Sequence, residues 1–176
     1  GQDGGDHGIL ARNSPEVEEH TPRPTYYAYY LMQKYFGDKM IFSYSPDTTV
    51  ISYSTMFAND GLGFMLINTS SQSKVVELSS NYYKSDYYWH ELYADNETDK
   101  KVYLNGQTSD NPEGGPLDYF DVASYYRPYE NDSRFELKPY SVTFIANMGN
   151  NSATNTDNWS NSCLLYTSDA ADDLLC

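Results

Sequence analysis

The aromatic residues between positions 105 and 134 are the side chains whose chemistry points most directly to a ligand. This segment is long for a connection inside a compact β domain, and it contains Tyr119, Phe120, Tyr125, Tyr126 and Tyr129. Aromatic rings can stack on the C–H faces of sugars, and they offer a large contact area at a small cost in entropy. The alternative, which we favour, is that the rings pack this segment onto its own domain or onto a neighbouring part of the protein. If the first interpretation holds, the sugar contacts are Tyr119, Phe120, Tyr125 and Tyr126.

Two acidic stretches could be mistaken for a metal site or a catalytic pair. The segment Asp95 to Asp99 has acidic groups at alternate positions, as in an EF-hand loop. That loop needs Gly at its sixth position and Glu at its twelfth, where this chain has Lys100 and Gly106. The acidic segment 16–20 is best explained as a charged entry to a helix. We therefore predict no metal site, no cofactor and no catalytic carboxylate pair.

Composition narrows the class of partner. The net charge of −14 repels phosphate backbones, so we predict no nucleic-acid partner. No apolar run approaches the roughly 20 residues that cross a bilayer, so we predict no membrane partner. A length of 176 residues suits one ordinary domain with part of another. Aromatics make up 16% of the residues, which fits either Tyr-rich strands or a sugar-binding surface.

One helix is strongly indicated, over residues 25–36. Its apolar side chains recur at helical spacing on one face: Ala28, Leu31, Met32 and Tyr35. Thr21 can cap the start, and Pro22 or Pro24 suits the first turn, where an N–H is not needed. Gly37 is expected in the left-handed conformation that often ends a helix.

The remainder reads as strands and turns. Strands are predicted at 39–44, 49–57, 63–68, 74–78, 86–93, 101–104, 135–137 and 141–146, with a hairpin turn at Asn59-Asp60-Gly61. The apolar strand 63–68 should be central and covered on both faces. In strand 86–93, alternation predicts packing roles on both faces. One face has Tyr88, His90 and Leu92, and the other has Tyr87, Trp89, Glu91 and Tyr93. The predicted fold is mainly β, an antiparallel β-sandwich of seven or eight strands preceded by a single α-helix.

Two motifs carry a family resemblance. Residues 23–29 (RPTYYAY) with 36–38 (FGD), and the closing strand 137–145 (LKPYSVTFI), bracket most of the chain. Together they resemble the C-terminal part of glycoside hydrolases built on a (β/α)8 barrel with a trailing β-sandwich. Arabinofuranosidases, xylosidases, endoglucanases and agarases share this architecture, and the resemblance does not choose among them.

The resemblance implies a division of the chain. Residues 1–38 would be the end of the catalytic barrel, namely the loop after strand 8 and the last helix of a truncated barrel. Residues 39–146 would be the sandwich, and 147–162 an Asn-rich linker or loop. The paired carboxylates of a retaining enzyme would lie upstream of residue 1, so this piece would not be catalytically competent. The barrel and a poly- or oligosaccharide are the implied partners, in an extracellular or periplasmic location.

Asp6 and His7 gain a role only through this resemblance. They would lie in the loop after strand 8, at the rim of the cleft, where they could hydrogen-bond sugar hydroxyls. The alternative is a solvated loop. For the whole chain, the alternative is a stand-alone carbohydrate- or cell-surface-binding β-sandwich without activity.

If the chain is instead the end of a barrel enzyme, the helix should keep an apolar side that the sandwich does not cover.

Residues 163–176 contain both cysteines, Cys163 and Cys176, and resemble a translated sequencing adapter. The alternative is a native amphipathic helix built on the leucines at 164, 165, 174 and 175. On the first interpretation, no disulfide or thiol ligand belongs to the native protein.

Deleting residues 163–176 should leave the thermal midpoint of the chain unchanged, because a non-native tail makes no packing contacts. Differential scanning calorimetry of the two forms checks this. A loss of several degrees, or about 1 kcal/mol for a domain of this size, would mean that the tail is native and packed.

Overall fold

The computed structural model describes residues 8–11, 17–78, 85–128 and 133–147. Within these ranges lie one α-helix, nine strands and a short 3₁₀ turn at Tyr119–Asp121. The elements are α1 Pro24–Tyr35, β1 Lys39–Ile41, β2 Val50–Met56, β3 Leu62–Asn68, β4 Lys74–Glu77, β5 Tyr87–Tyr93, β6 Tyr103–Leu104, β7 Tyr125–Arg127, β8 Arg134–Leu137 and β9 Ser141–Asn147. The predicted linker after residue 147 and the tail lie outside the described residues.

The strands form two antiparallel sheets. The larger has the order β1-β2-β3-β9-β5-β6, and β7 pairs with β5 as well. The smaller consists of β4 and β8. The predicted class, a mainly β sandwich preceded by a helix, is confirmed. The predicted strand 63–68 is indeed internal, since β3 pairs with β2 on one side and β9 on the other.

Two apolar clusters lie on opposite faces of the large sheet, as the period of two along each strand requires. On one face α1 packs on β5 and β9, with Tyr27, Leu31 and Tyr35 fully buried against Phe144 and Leu92. On the other face β4 and β8 cover a cluster that comprises Val50, Leu62, Phe64, Leu66, Tyr87, Phe135, Leu137 and Ile145. The helix and the small sheet therefore sandwich the large sheet between them.

The ends of α1 differ from the predicted ones. Arg23, not Thr21, occupies the N-cap position, and Pro24 begins the helix as predicted. The Thr21 hydroxyl donates instead to the carbonyl oxygen of Glu18, at 2.8 Å. The helix ends at an extended Phe36 (φ −91°, ψ 126°), so Gly37 is not its left-handed cap.

Close backbone contacts explain two glycines near the end of the helix. A Cβ on Gly37 would lie 2.4 Å from the carbonyl oxygen of Met56, and one on Gly63 would lie 2.0 Å from that of Tyr35. The buried Thr55 hydroxyl accepts the N–H of Gly37 at 2.9 Å and donates to the Gly63 carbonyl at 3.3 Å. The chain leaves the helix directly against β2 and β3 because these positions lack side chains.

Gly63→Ala should destabilise the fold by about 3 kcal/mol, because the added methyl group meets backbone that cannot move alone. Urea unfolding measures the loss. Gly106→Ala is the matched control: its φ is +81° and no neighbouring atom is closer than 4.0 Å, so its cost should be only the backbone strain, about 1 kcal/mol. An equal or smaller loss for Gly63→Ala would contradict this account of the contact.

Candidate functional site

A row of aromatic and charged side chains lies on the sheet face opposite the helix. We call it the aromatic strip, and it consists of Trp89, Glu91 and Tyr93 from β5, Tyr103 from β6, Tyr125 from β7, and Lys138 after β8. Alternation along β5 directs its odd-numbered residues to this face. Strand β8 of the small sheet contacts the strip at one end, where the Phe135 ring lies 5.5 Å from that of Trp89, and Lys138, the residue after β8, contacts Tyr93 at the other end.

Strand pairing arranges four rings of the strip as two cross-strand pairs. Trp89 is opposite Tyr125, with ring centroids 5.4 Å apart, and Tyr93 is opposite Tyr103 at 5.1 Å. The second pair is nearly parallel, with an interplanar angle of 15°. Directly opposed aromatic pairs stabilise a sheet and restrict each other's rotamers, so these rings are held in place before any ligand arrives.

Glu91 lies between the two ring pairs and is paired with Lys138. The Lys138 ammonium is 3.5 Å from a Glu91 carboxylate oxygen and 3.9 Å from the centroid of the Tyr93 ring. The Trp89 indole N–H donates to the other Glu91 oxygen at 3.4 Å. Burial opposes the charge on Lys138, but Tyr93 and Glu91 outweigh it and raise the pKa of Lys138. The strip therefore presents a charged acceptor beside a charged donor.

The backbone of Glu91 is fixed by Asn105, which follows β6. The Glu91 N–H donates to the Asn105 side-chain oxygen at 2.8 Å, and the Asn105 N–H donates to the Glu91 carbonyl at 2.9 Å. Asn105 adopts a positive φ of 47°, which Asn tolerates better than most residues. This turn positions β6, and with it Tyr103, beside the strip.

A second group of aromatic residues lies beside the helix, on the other face. The Tyr119 ring contacts Tyr26 and Tyr30 at centroid distances of 5.4 and 5.0 Å, and the Tyr26 and Tyr119 hydroxyls are 2.6 Å apart. Phe120 and Tyr29 are 65% and 57% exposed. We call Tyr26, Tyr29, Tyr30, Tyr119 and Phe120 the helix-side patch.

The four candidate rings from segment 105–134 do not form one surface. Tyr119 is buried and Phe120 is exposed, both in the helix-side patch, whereas Tyr125 belongs to the aromatic strip. Tyr126 lies on the opposite face of β7, where its ring contacts Tyr88 and its hydroxyl donates to Asp86 at 2.8 Å. Their contact with sugars stays a prediction. Asp6 and His7 lie outside the described residues.

Sequence reasoning assigned Trp89, Glu91 and Tyr93 to packing and did not single out Tyr103 or Lys138. Each ring does pack on another ring. Tyr125 is 37% exposed and the Lys138 side chain 38%, whereas the Glu91 side chain between the ring pairs is 13% exposed. The signal in the sequence is the odd-numbered run of aromatic and acidic residues in β5. Their partners come from β6 and β7, whose pairing the sequence pattern did not specify.

A groove of about 600 Å³ opens between the segment after β1 and strand β4. Its floor is apolar and includes Phe64 and Leu66, while Asp47 and Lys74 form an ion pair at 2.8 Å on its rim. Phe42 lies at its mouth and is 91% exposed.

His90 is a buried connector between the helix and the sheet. Its Nε2–H donates to the Val122 carbonyl at 2.9 Å, which leaves Nδ1 to accept the Tyr35 hydroxyl at 2.5 Å. Burial lowers the pKa of His90 to about 4, so the ring is neutral at pH 7. This agrees with the predicted packing role.

Among the described residues, no three His, Cys, Asp or Glu side chains are grouped as a metal ion would need. In the same part of the chain, no helix has the length and apolar character to cross a membrane.

Neither a protein-family model nor a curated protein sequence matches the chain. Solved structures that it resembles include glycoside hydrolases. A thermostable family-51 α-L-arabinofuranosidase from Thermotoga petrophila matches at a TM-score of 0.48 and 12% identity, over 72% of this chain and 29% of its own. A bifunctional glucanase-xylanase from a metagenome library matches at 0.47 and 18%, over 75% and 24%. A β-porphyranase from Bacteroides plebeius matches at 0.43 and 13%, over 71% and 19%. The chain thus spans less than a third of the length of each of these three.

The stability of the fold should fall as the pH decreases from 6.5 to 4. In this window the unfolded chain protonates His90 but the folded chain does not, since burial lowers the pKa from 6.5 to about 4. The contribution is about 3 kcal/mol. Urea unfolding across this range measures it against His90→Gln, which should lose less stability on acidification. Equal pH dependence of the two proteins would show that His90 titrates normally.

Proposed function

We propose that this chain is the C-terminal part of a polysaccharide-degrading glycoside hydrolase, and that its sandwich supports a catalytic (β/α)8 barrel that lies upstream. The motif at 23–29 and the closing strand 137–145 support this proposal, because the first begins the helix and the second ends the sandwich. Secretion to an extracellular or periplasmic location belongs to the same proposal.

The proposal rests on one observation: the sheet buries one side of α1, while aromatic residues on the outward side remain exposed. Tyr27, Leu31 and Tyr35 form a stripe that is fully buried on the sheet. On the outward side, Tyr29 is 57% exposed, and Tyr26 and Tyr30 are half-buried beside an exposed Phe120. A helix that contacted only the sandwich would carry polar groups on its outward side. Exposed aromatic surface of this kind is typical of a contact with another protein surface, which supports the proposed upstream barrel.

In this arrangement the sandwich contributes no catalytic group. The helix would be fixed on one side to the sheet and on the other to the barrel. Burial of two helix faces between these bodies would hold the end of the barrel rigid. The carboxylates that cleave the glycosidic bond would then lie upstream, on the strands of the barrel.

The second candidate function is a self-contained carbohydrate-binding module without catalytic activity. The aromatic strip favours it, because rings with interleaved polar groups are typical of surfaces that recognise sugars. The two functions differ in what they require of the helix-side patch. A barrel needs the patch as a contact surface, whereas an independent module does not.

The isolated chain should self-associate through the helix-side patch, because the proposed barrel no longer covers it. Sedimentation velocity should show Tyr29→Lys with Phe120→Lys shifting the protein toward monomer without lowering its thermal midpoint. Phe42→Lys is the matched control, since Phe42 is more exposed, at 91%, but lies beside β1. A wild-type chain that stays monomeric at high concentration, or a control that has the same effect, would count against the barrel.

The same preparation should not hydrolyse aryl-glycosides or polysaccharides. Hydrolysis that is abolished by a substitution within the chain would overturn the proposed division of roles. Sequencing the source DNA upstream of the first codon gives an independent answer. The proposal expects a reading frame of about 250 or more residues with the periodicity of a (β/α)8 barrel and Glu at the ends of two strands.

A further inference from the structure

The aromatic strip lies on the face of the large sheet that points away from the helix, and the small sheet covers only part of that face. We propose that the strip is a binding site for an uncharged polysaccharide chain, separate from the surface that would meet a barrel. This inference goes beyond the proposed supporting role and holds whether or not a barrel precedes the chain.

The strip is open because of where the small sheet ends. Strand β8 packs on β3 and β9, and Phe135 is its contact with the Trp89 ring. At the other end of β5, Tyr93 is paired with Tyr103 of the neighbouring strand β6, and Lys138 packs over the Tyr93 ring. Trp89, Tyr93 and Tyr103 are half-buried and Tyr125 is exposed, as expected for a shallow surface.

The two ring pairs have a spacing that suits an extended ligand. Trp89 and Tyr93 are four residues apart on β5, which corresponds to about 13 Å along a strand. A saccharide chain that runs along β5 would therefore reach both pairs with several sugar units. Since cross-strand packing already restrains the rings, their ordering would cost little of the binding free energy.

The groups between the ring pairs match sugar hydroxyls. A hydroxyl both donates and accepts, and here the Glu91 carboxylate only accepts while the Lys138 ammonium only donates. The two lie 3.5 Å apart, so one hydroxyl, or two neighbouring ones, could bond both. Charged partners strengthen such hydrogen bonds. These hydrogen bonds would orient a ligand that the rings would otherwise bind only by stacking.

Charge selects against acidic polysaccharides. Within and beside the strip, Glu91 and Asp95 are offset by Lys138 and Arg127; Tyr103 donates to Asp95 at 3.1 Å, and Arg127 stacks on Trp89 at 5.2 Å. The site is therefore close to neutral, while the chain carries a net charge of −14. Uronate- or sulfate-bearing chains would be repelled by the protein without gaining a compensating cationic site.

Affinity electrophoresis of the full chain tests the proposal, with soluble neutral xylan, mixed-linkage glucan, xyloglucan and agarose oligosaccharides as probes and polygalacturonate as the anionic probe. We expect retardation by at least one neutral probe and none by polygalacturonate. Tyr125→Ala should weaken binding about tenfold, which corresponds to about 1.4 kcal/mol. Tyr126→Ala is the matched control, because it removes the adjacent ring from the opposite face of β7 and should bind like the wild type.

Glu91→Gln separates hydrogen bonding from stacking. It keeps the shape of the side chain but removes the charge, so we expect weaker binding together with a small decrease in the thermal midpoint, because Lys138 loses its ion pair. Circular dichroism of each variant verifies that the sheet is intact. The proposal is overturned if no neutral probe binds, if polygalacturonate binds better than the neutral chains, or if Tyr126→Ala loses as much affinity as Tyr125→Ala. None of these outcomes bears on the self-association of the helix-side patch, so the two proposals can fail separately.

Discussion

The close approach of α1 to the large sheet is the constraint on which the other features of this structure depend. Backbone meets backbone where Gly63 faces the Tyr35 carbonyl, and Thr55 bonds to the chain on both sides of that contact. The approach lets three side chains of the helix be fully buried and lets Tyr35 reach His90 inside the sheet. One face of the sheet is therefore covered by the helix, together with the segment that carries Tyr119 and Val122.

Because the helix covers one face of the large sheet, the apolar residues on the opposite face need a separate cover. The apolar residues of β3 alternate with the ones that face the helix, so Leu62, Phe64 and Leu66 need a second cover, which β4 and β8 provide. That cover is two strands wide, and the large sheet is wider. The part of the face on β5, β6 and β7 is left to aromatic and charged residues, which can be half-buried and remain stable at a water boundary.

Local pattern was sufficient for most elements and insufficient for contacts between distant ones. The spacing of Leu31 and Tyr35 predicted the helix, and apolar runs predicted strands such as β3 and β9. The role of Gly37 could not be predicted from its sequence neighbours. Gly is needed there because the backbone of Met56 is close, and not because the chain makes a left-handed turn. Strand β7 was missed within segment 105–134, since three residues, two of them aromatic, do not distinguish a short paired strand from a loop.

The candidate rings show why closeness in sequence is a poor guide to a binding surface in a β protein. Tyr125 and Tyr126 are neighbours in the chain, yet the period of two sends them to opposite faces, and Tyr119 belongs to the helix core. The rings that do meet come from β5, β6 and β7, through pairing that depends on the whole fold. The aromatic strip and the helix-side patch also lie on opposite faces of the sheet, so the two proposals are compatible. A saccharide on the strip and a barrel against the helix would occupy opposite faces of one sheet, so neither would exclude the other.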